Sequence, residues 1–361
     1  MQREGSASQA VRFCRSPDGT RIAYAVHGAG PPLLISTCWL SHLQFDWESP
    51  VWRHFLAELG RFATVVRFDE RGHGLSDWDV SDHSLQARIG DLEAVADDAG
   101  LSRFALMAMA QGGPVAIHYA TRHPERVSRL LFYDSYANAQ FGMTEEDIEL
   151  EDAFERLIKA GWGRPESAFR RLFTSLMIPG GTEEQMRWVD DLMRASVSAS
   201  NAHAAHQQRQ RADASDLLGD LDVPTLVLHA VGDRMNSFNH GRYLASSIAG
   251  ARLVTLDSQN HILLEDEPAW PVFVDEVARF LAADRSADPT HPQPMVRAVL
   301  SGRELEVLQL AARGLDNDEI ARELTLSVRT VERHLQNVYL KLDLQGRSAR
   351  AAAVARLLTT A

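Results

Sequence analysis

The chain of 361 residues is 45% hydrophobic and 24% charged, a balance typical of a globular protein, and it is too long for one ordinary domain, so two domains or one large domain with a small module are expected. No run of about 18 apolar residues could span a bilayer, and two cysteines, Cys14 and Cys38, are too few for a disulfide framework. A net charge of −12 argues against a nucleic-acid surface spread over the whole chain, yet residues 296–361 carry ten Lys/Arg against eight Asp/Glu, leaving 27 against 41 for the rest.

The opening MQREGSASQA lacks the apolar core of a signal peptide, so the expectation is a cytoplasmic protein with no membrane contact. From there, eight β-rich runs alternate with helical stretches: VRFCR at 11, RIAYAV at 21, LLIST at 33, TVVRF at 64, FALMAM at 104, RLLFYD at 129, TLVLHA at 225 and RLVTL at 252. Strands separated by helices predict a doubly wound α/β fold with a mostly parallel eight-stranded sheet. SPDGT between the first two runs is a turn signal and predicts an antiparallel hairpin there. The long gap at 136–223 has helical pattern, with Ile148, Phe154, Leu157, Ile158 and Trp162 near one face of one helix. An insertion of that length over strand ends predicts a helical lid.

Three prolines, Pro289, Pro292 and Pro294, punctuate ADRSADPTHPQP after a helical pattern ending at Leu281. Their fixed φ and missing N–H break helices, so a linker is placed at 283–295, between a domain at 1–282 and a second at 296–361.

Candidate functional residues cluster at predicted strand ends. After the fifth strand the chain runs Ala108-Met109-Ala110-Gln111-Gly112-Gly113 into a helix; DERGHGLSD follows the fourth, HAVGD with Asp233 the seventh, and QNHILLEDEPAW with His261 the eighth. Residues 11–282 resemble the α/β-hydrolase fold, whose nucleophile sits on a tight strand–turn–helix elbow and is followed in chain order by an acid and a histidine. Ala110 stands where that pattern has its nucleophilic serine and Ala108 where it has its first glycine, so the departure covers two positions. A methyl group cannot attack a carbonyl, so no catalytic residue is expected and the triad positions Ala110, Asp233 and His261 are vestigial for acyl transfer. The resemblance implies that the backbone N–H groups of Gln111 and of Trp39, in STCWL, would form an oxyanion hole. A ligand site made of Trp39, Ala110, Gln111, Asp233 and His261 is therefore expected, with the alternative that Asp233 and His261 are a buried pair kept for packing.

Turn geometry is the expected role of DERGHGLSD. The spacing of His203 and His206 admits a shared metal, but a solvated helix face is the expectation, and neither a metal nor a cofactor is predicted. EEDIELED, residues 145–152, is expected to be a solvated helix start, where carboxylates suit the helix dipole.

Beyond the linker, Ser301 with Glu304 reads as a capping box for SGRELEVLQLAAR, Gly314 as its C-terminal cap, Asn317 as the cap of DEIAREL and Ser327 as the cap of VRTVERHLQNVYLKL. Val331, Leu335, Val338 and Leu342 make a core stripe on the third helix, while Thr330, Arg333, His334, Asn337 and Lys341 share the neighbouring face with Arg329 at its start. Such side chains suit base edges and phosphates. The stretch resembles the helix-turn-helix domain of LuxR-type transcriptional regulators over about 60 residues, with Glu304, Gly314, Glu319, Ile320, Ala321, Ser327, Thr330, Val331, His334 and Lys341 in matching positions and Asp343 departing from the usual glycine. That resemblance implies double-stranded DNA as partner, with Arg329, Thr330, Arg333, His334, Asn337 and Lys341 at the DNA. It also implies a homodimer formed through RSARAAAVARLL, whose Ala349 and Ala351 to Ala353 would allow close helix approach. The two resemblances together imply a regulator that responds to a small-molecule effector held in a catalytically silent pocket; an enzyme using His261 and Asp233 as a general base is the alternative.

Overall fold

The computed structural model describes residues 9–36, 40–164, 168–282, 300–312, 315–341, 349–350 and 353–354. All eight expected strands form: β1 (Ala10–Arg15), β2 (Arg21–Gly28), β3 (Pro32–Ser36), β4 (Thr64–Phe68), β5 (Phe104–Met109), β6 (Val127–Tyr133), β7 (Thr225–Ala230) and β8 (Arg252–Leu256). They make one sheet in the order β1-β2-β4-β3-β5-β6-β7-β8. The β1–β2 hairpin is antiparallel as its turn predicts, with Gly19 at φ +91° where a side chain would be strained. β2 also runs antiparallel to β4, so the change to parallel pairing comes one strand later than the hairpin alone suggests.

The central strands are apolar on both faces because helices cover both. Side chains alternate along β5: Ala105, Met107 and Met109 join one core, while Phe104, Leu106 and Ala108 join the other. α2 (Arg53–Phe62) and α10 (Ala269–Ala282) bring Phe55, Leu59, Phe273 and Val277 to the first core. α3 (Leu85–Asp98), α4 (Gly113–Arg122) and α9 (Phe238–Ser247) bring Leu92, Ile117 and Leu244 to the second. A short α1 (Leu43–Trp47) precedes α2.

Between β6 and β7 stand four helices, α5 (Glu145–Gly161), α6 (Ala168–Met177), α7 (Glu183–Ser196) and α8 (Ala199–Arg211). The apolar face expected for α5 is narrower than the sequence suggests. Phe154, Ile158 and Trp162 are packed inward, but Ile148 and Leu157 are exposed. At about 100° per residue, 154 and 162 lie within about 40° of 158, whereas 148 and 157 lie roughly 80–100° away.

Contacts divide the chain into two units, Met1–Asp284 and Arg285–Ala361. In the second, α11 (Gly302–Ala312), α12 (Asn317–Glu323) and α13 (Val328–Lys341) surround Val307, Leu310, Ile320, Val331 and Leu335. Trp39, the proposed linker 283–295, Gly314, Leu342, Asp343, Ala351 and Ala352 lie outside the described residues. Among those described, no helix is long and apolar enough to cross a membrane.

Candidate functional site

β5 hands over to α4 through a 3-10 turn at Ala110–Gly112. Ala110 adopts φ +46°, a left-handed conformation costing an L-residue about 1–2 kcal/mol, and its carbonyl accepts from Ser135 Oγ at 2.5 Å. The two glycines allow neighbouring strand ends to crowd in. A Cβ at Gly112 would lie 2.5 Å from the Ser36 carbonyl oxygen, and one at Gly113 1.9 Å from that of Tyr136. The turn thus keeps the strain and close approaches of a nucleophile elbow while offering a methyl group at its tip.

Asp233, just beyond β7, and His261, beyond β8, meet at the same end of the sheet, with His261 Nδ1 2.7 Å from Asp233 Oδ2. The other oxygen of Asp233 accepts the backbone N–H groups of Met235, at 2.7 Å, and Asn236, at 3.1 Å. His261 is fixed from behind: its N–H donates to the Met177 carbonyl at 2.8 Å, and its carbonyl accepts from the Tyr133 hydroxyl at 2.9 Å. Burial opposes the imidazolium, but the charge and hydrogen bond of Asp233, helped by Asp134, hold the His261 pKa above its usual value.

Asp134, Tyr133 and Asn236 are participants that motif reading missed. Asp134 is fully buried, sits at φ +45°, and accepts the Ala230 N–H at 2.7 Å. Burial and the charge of Asp233 push its carboxyl well above the usual range. Asn236 ties the group together, its side chain donating to the Asp134 carbonyl at 2.7 Å and its own carbonyl accepting from His229 Nε2 at 2.9 Å. Asp134, His229 and Asp233 stand close enough to share a cation, but the His229 nitrogen nearest the carboxylates donates to that carbonyl and Asp233 is committed to His261. The available signal was position alone: Tyr133 and Asp134 end β6 beside the elbow.

Ala110, Gln111, Asp233 and His261 all line one cavity of about 920 Å³. Its apolar wall includes Trp52 and Leu40 from the sheet side and Phe154, Phe173 and Leu192 from α5, α6 and α7. A volume of this size suits a small organic ligand.

The DERGHGLSD loop is a fastening rather than only a turn. Asp69 Oδ2 accepts the N–H groups of Leu75 at 2.8 Å and Leu43 at 3.2 Å. Arg71 makes a two-pronged contact with Asp91, both bonds 2.7 Å. Glu70, buried, pairs with Arg88 at 2.8 Å and with Arg209 of α8, and Arg88 also donates to the Gln111 carbonyl at 3.3 Å. Burial opposes the Glu70 charge, but the two arginines win and hold its pKa near 2. This network ties the helical insertion to the elbow.

His203 and His206 do not converge on one point. His203 meets Glu155 at 3.0 Å and His206 meets Glu151 at 2.8 Å, with Gln207 and Gln210 donating to the same two carboxylates. The face expected to be solvated instead clasps α5 to α8. The acidic run is likewise only partly a solvated start, since Glu151 is in this clasp and Asp147 forms a capping box with Thr144.

In the second unit, Ser301 and Glu304 form the expected capping box, Ser301 N–H donating to Glu304 Oε2 at 2.7 Å, and Ser327 accepts the Thr330 N–H at 3.1 Å. The cap of α12 is Asp316, reciprocated by Glu319, not Asn317. Asn317 is engaged elsewhere, accepting from Arg350 at 2.5 Å. On α13, Val331, Leu335 and Val338 are buried, Arg329 and Arg333 are exposed, and Thr330, His334 and Asn337 are half-buried. Lys341 is exposed but bound, its Nζ 2.7 Å from Glu304 Oε2. Ala349 and Ala353 are buried within this unit, Ala353 against Leu300, Leu308 and Val338. Both alanines are thus already covered in the single chain, Ala353 by the module's own core.

The family model described as alpha/beta hydrolase fold matches residues 31–268, and that of bacterial regulatory proteins, luxR family, matches residues 298–354. The chain is similar to an AB hydrolase superfamily protein of Bacillus subtilis, YisY, at 29% identity over 249 residues covering 65% of this chain and 86% of the relative. It is similar at 26% identity to a pimeloyl-(acyl-carrier protein) methyl ester esterase of Neisseria meningitidis, covering 68% of this chain and 72% of the relative. Among solved structures, an esterase from Exiguobacterium antarcticum shares the fold with a TM-score of 0.64 at 21% identity, covering 76% of this chain and 100% of that one.

Proposed function

We propose that this chain, which belongs to the alpha/beta hydrolase fold family and carries a luxR-family DNA-binding module at residues 298–354, is a transcriptional regulator whose hydrolase-fold unit holds a small, largely apolar, carbonyl-containing effector without cleaving it. The observation that carries this reading is Ala110 at the tip of the elbow, in a cavity it shares with the His261–Asp233 pair. No acyl-enzyme forms without the hydroxyl. The Gln111 N–H, with that of Trp39 by family likeness, would anchor the carbonyl, and His261 would donate to it.

In this reading residues 1–282 sense, 283–295 link and 296–361 bind DNA as a homodimer in the cytoplasm, with the insertion at 136–223 as the lid over the ligand. Arg329, Thr330, Arg333, His334, Asn337 and Lys341 face double-stranded DNA. The effector regulates only through a difference in its affinity for two arrangements of the DNA-binding modules. Fluorescence anisotropy with duplex from the region upstream of the chain's own gene, with and without esters and lactones, tests the reading. A sequence preference that shifts with ligand supports it; equal binding to every duplex at every salt concentration overturns it.

The second reading, an enzyme using His261 as a general base, is favoured by one observation, the raised proton affinity of His261 against Asp233. Proton abstraction needs no nucleophile. Turnover that His261→Ala abolishes would support it, and absence of turnover on esters, lactones and acidic C–H substrates would reject it.

A further inference from the structure

The cavity has one wall that neither the elbow nor the dyad uses. Asn239, Arg242, Tyr243 and Ser246 of α9 line it, at positions i, i+3, i+4 and i+7, one face of a helix. The other side of α9 is packed on the sheet: Leu244 is fully buried, and a Cβ on Gly241 would lie 2.7 Å from the ring of His229. At 1.5 Å per residue the stripe offers about 10 Å of amide, guanidinium, phenol and hydroxyl groups. Ser246 donates to the Tyr243 carbonyl at 3.1 Å and the Tyr243 ring stacks on Phe141, so the groups a wholly apolar ligand would strip of water are chiefly the Asn239 amide and the Arg242 guanidinium.

Among the charged residues that line the cavity, Arg209 pairs with Glu70 and Arg234 donates to Gln259 at 3.2 Å. Asp147 is committed to the Thr144 cap, Glu151 to His206 and Gln210, and Asp233 to His261. Arg242, exposed at the cavity, has no ion pair or hydrogen bond among the described residues. His240 also lines the cavity; it is 8% exposed, and its Nδ1 has no hydrogen-bond partner among the described residues. Burial, with the nearby His229, holds the His240 pKa near 4, so its ring is a neutral polar group at neutral pH.

We propose that the cavity takes an amphipathic acid, a ligand whose carbonyl end lies at Ala110 and Gln111 and whose chain runs along the apolar wall of α5, α6 and α7 to place a carboxylate on Arg242. This rests on the ligand-binding reading above and adds to it the chemical class. An apolar chain satisfies the wall formed by α5, α6 and α7, and the acid satisfies α9.

Isothermal titration of the full chain with monoethyl octanedioate and with ethyl octanoate, in wild type and Arg242→Gln, tests it. Wild type should prefer the acid-ended ester about fivefold, as a partly exposed ion pair allows, and salt should erode that preference. Arg242→Gln should bring the two ligands within about twofold of each other by weakening the acid alone. Equal wild-type affinity for both esters, or a preference that survives Arg242→Gln, overturns the inference and leaves ligand binding standing. If neither ester binds, both the inference and the ligand-binding reading fall. Circular dichroism of the variant excludes misfolding as the cause of any loss.

Discussion

Asp233 grips Nδ1 of His261 at 2.7 Å in the cavity where Ala110 presents a methyl group. The dyad is held in turn by Met235, Asn236 and Tyr133, beside an elbow whose tip carries no hydroxyl.

Supplying that hydroxyl is the direct test of how complete the site is. Ala110→Ser should create esterase activity on short p-nitrophenyl esters, at least about 100-fold above wild type, since a serine beside a positioned histidine supplies both nucleophile and general base. Stopped-flow measurement should show a burst of p-nitrophenol as the acyl-enzyme accumulates. A variant that folds, by tryptophan fluorescence, yet hydrolyses no faster than wild type would mean the remaining geometry is not competent.

The same pair makes stability depend on pH in a defined direction. The folded pKa of His261 is raised above its unfolded value, so its contribution is fully present below about pH 6.5 and disappears as pH rises through the folded pKa. His261→Gln should therefore cost more stability at pH 6 than at pH 9, measured by urea unfolding. The seven tryptophans all precede residue 285 and report on the hydrolase-fold unit alone. A cost that is equal at both pH values, or larger at pH 9, would contradict the linkage.

The sheet was legible in the sequence because central strands such as FALMAM and TLVLHA are largely apolar runs between turn residues, and Ala110, Asp233 and His261 stood at or just beyond strand ends. What could not be read were contacts set by tertiary crowding. Nothing local distinguishes Asp134 from any aspartate after a strand; only the approach of β7 gives it the Ala230 N–H and the charge of Asp233. Asn317 and Asp316 are both good cap residues, and the choice fell to Asp316 because Glu319 can reciprocate and Arg350 occupies Asn317. The small residues of the last helix suit any close packing, and the module's own core takes Ala353.

Acid should erode the stability of the hydrolase-fold unit in two pH windows. Burial holds His27 and His73 near pKa 4, below the unfolded value, so their neutral forms stabilise the fold above about pH 6.5 and that stability declines as pH falls towards 4. Glu70, near 2, keeps its contribution until pH falls below about 4.5 and loses it towards 2. His73→Gln should reduce the stability lost between pH 7 and pH 5 by about 2 kcal/mol, whereas Glu70→Gln should leave the size of that loss unchanged. The opposite pattern in urea unfolding at those two pH values would reject the assignment.

Lys341 and Arg333 share α13 but should fail differently when replaced. Lys341 reaches buried Glu304, which also accepts the Ser301 N–H that starts α11, so a phosphate contact by Lys341 competes with an internal bond. Lys341→Gln should lower the melting stability of the second unit by up to about 1 kcal/mol, the range of a partly exposed pair, and weaken all duplexes alike. Arg333 is exposed and makes no ion pair or hydrogen bond among the described residues. Arg333→Ala should leave stability within about 0.5 kcal/mol of wild type while costing about 1–3 kcal/mol of discrimination between specific and random duplex. Anisotropy on both duplexes, paired with far-UV circular dichroism melts, separates the two. If Arg333→Ala lowers specific and random binding equally, Arg333 contacts backbone and not base edges, and α13 presents a different set of side chains to the groove.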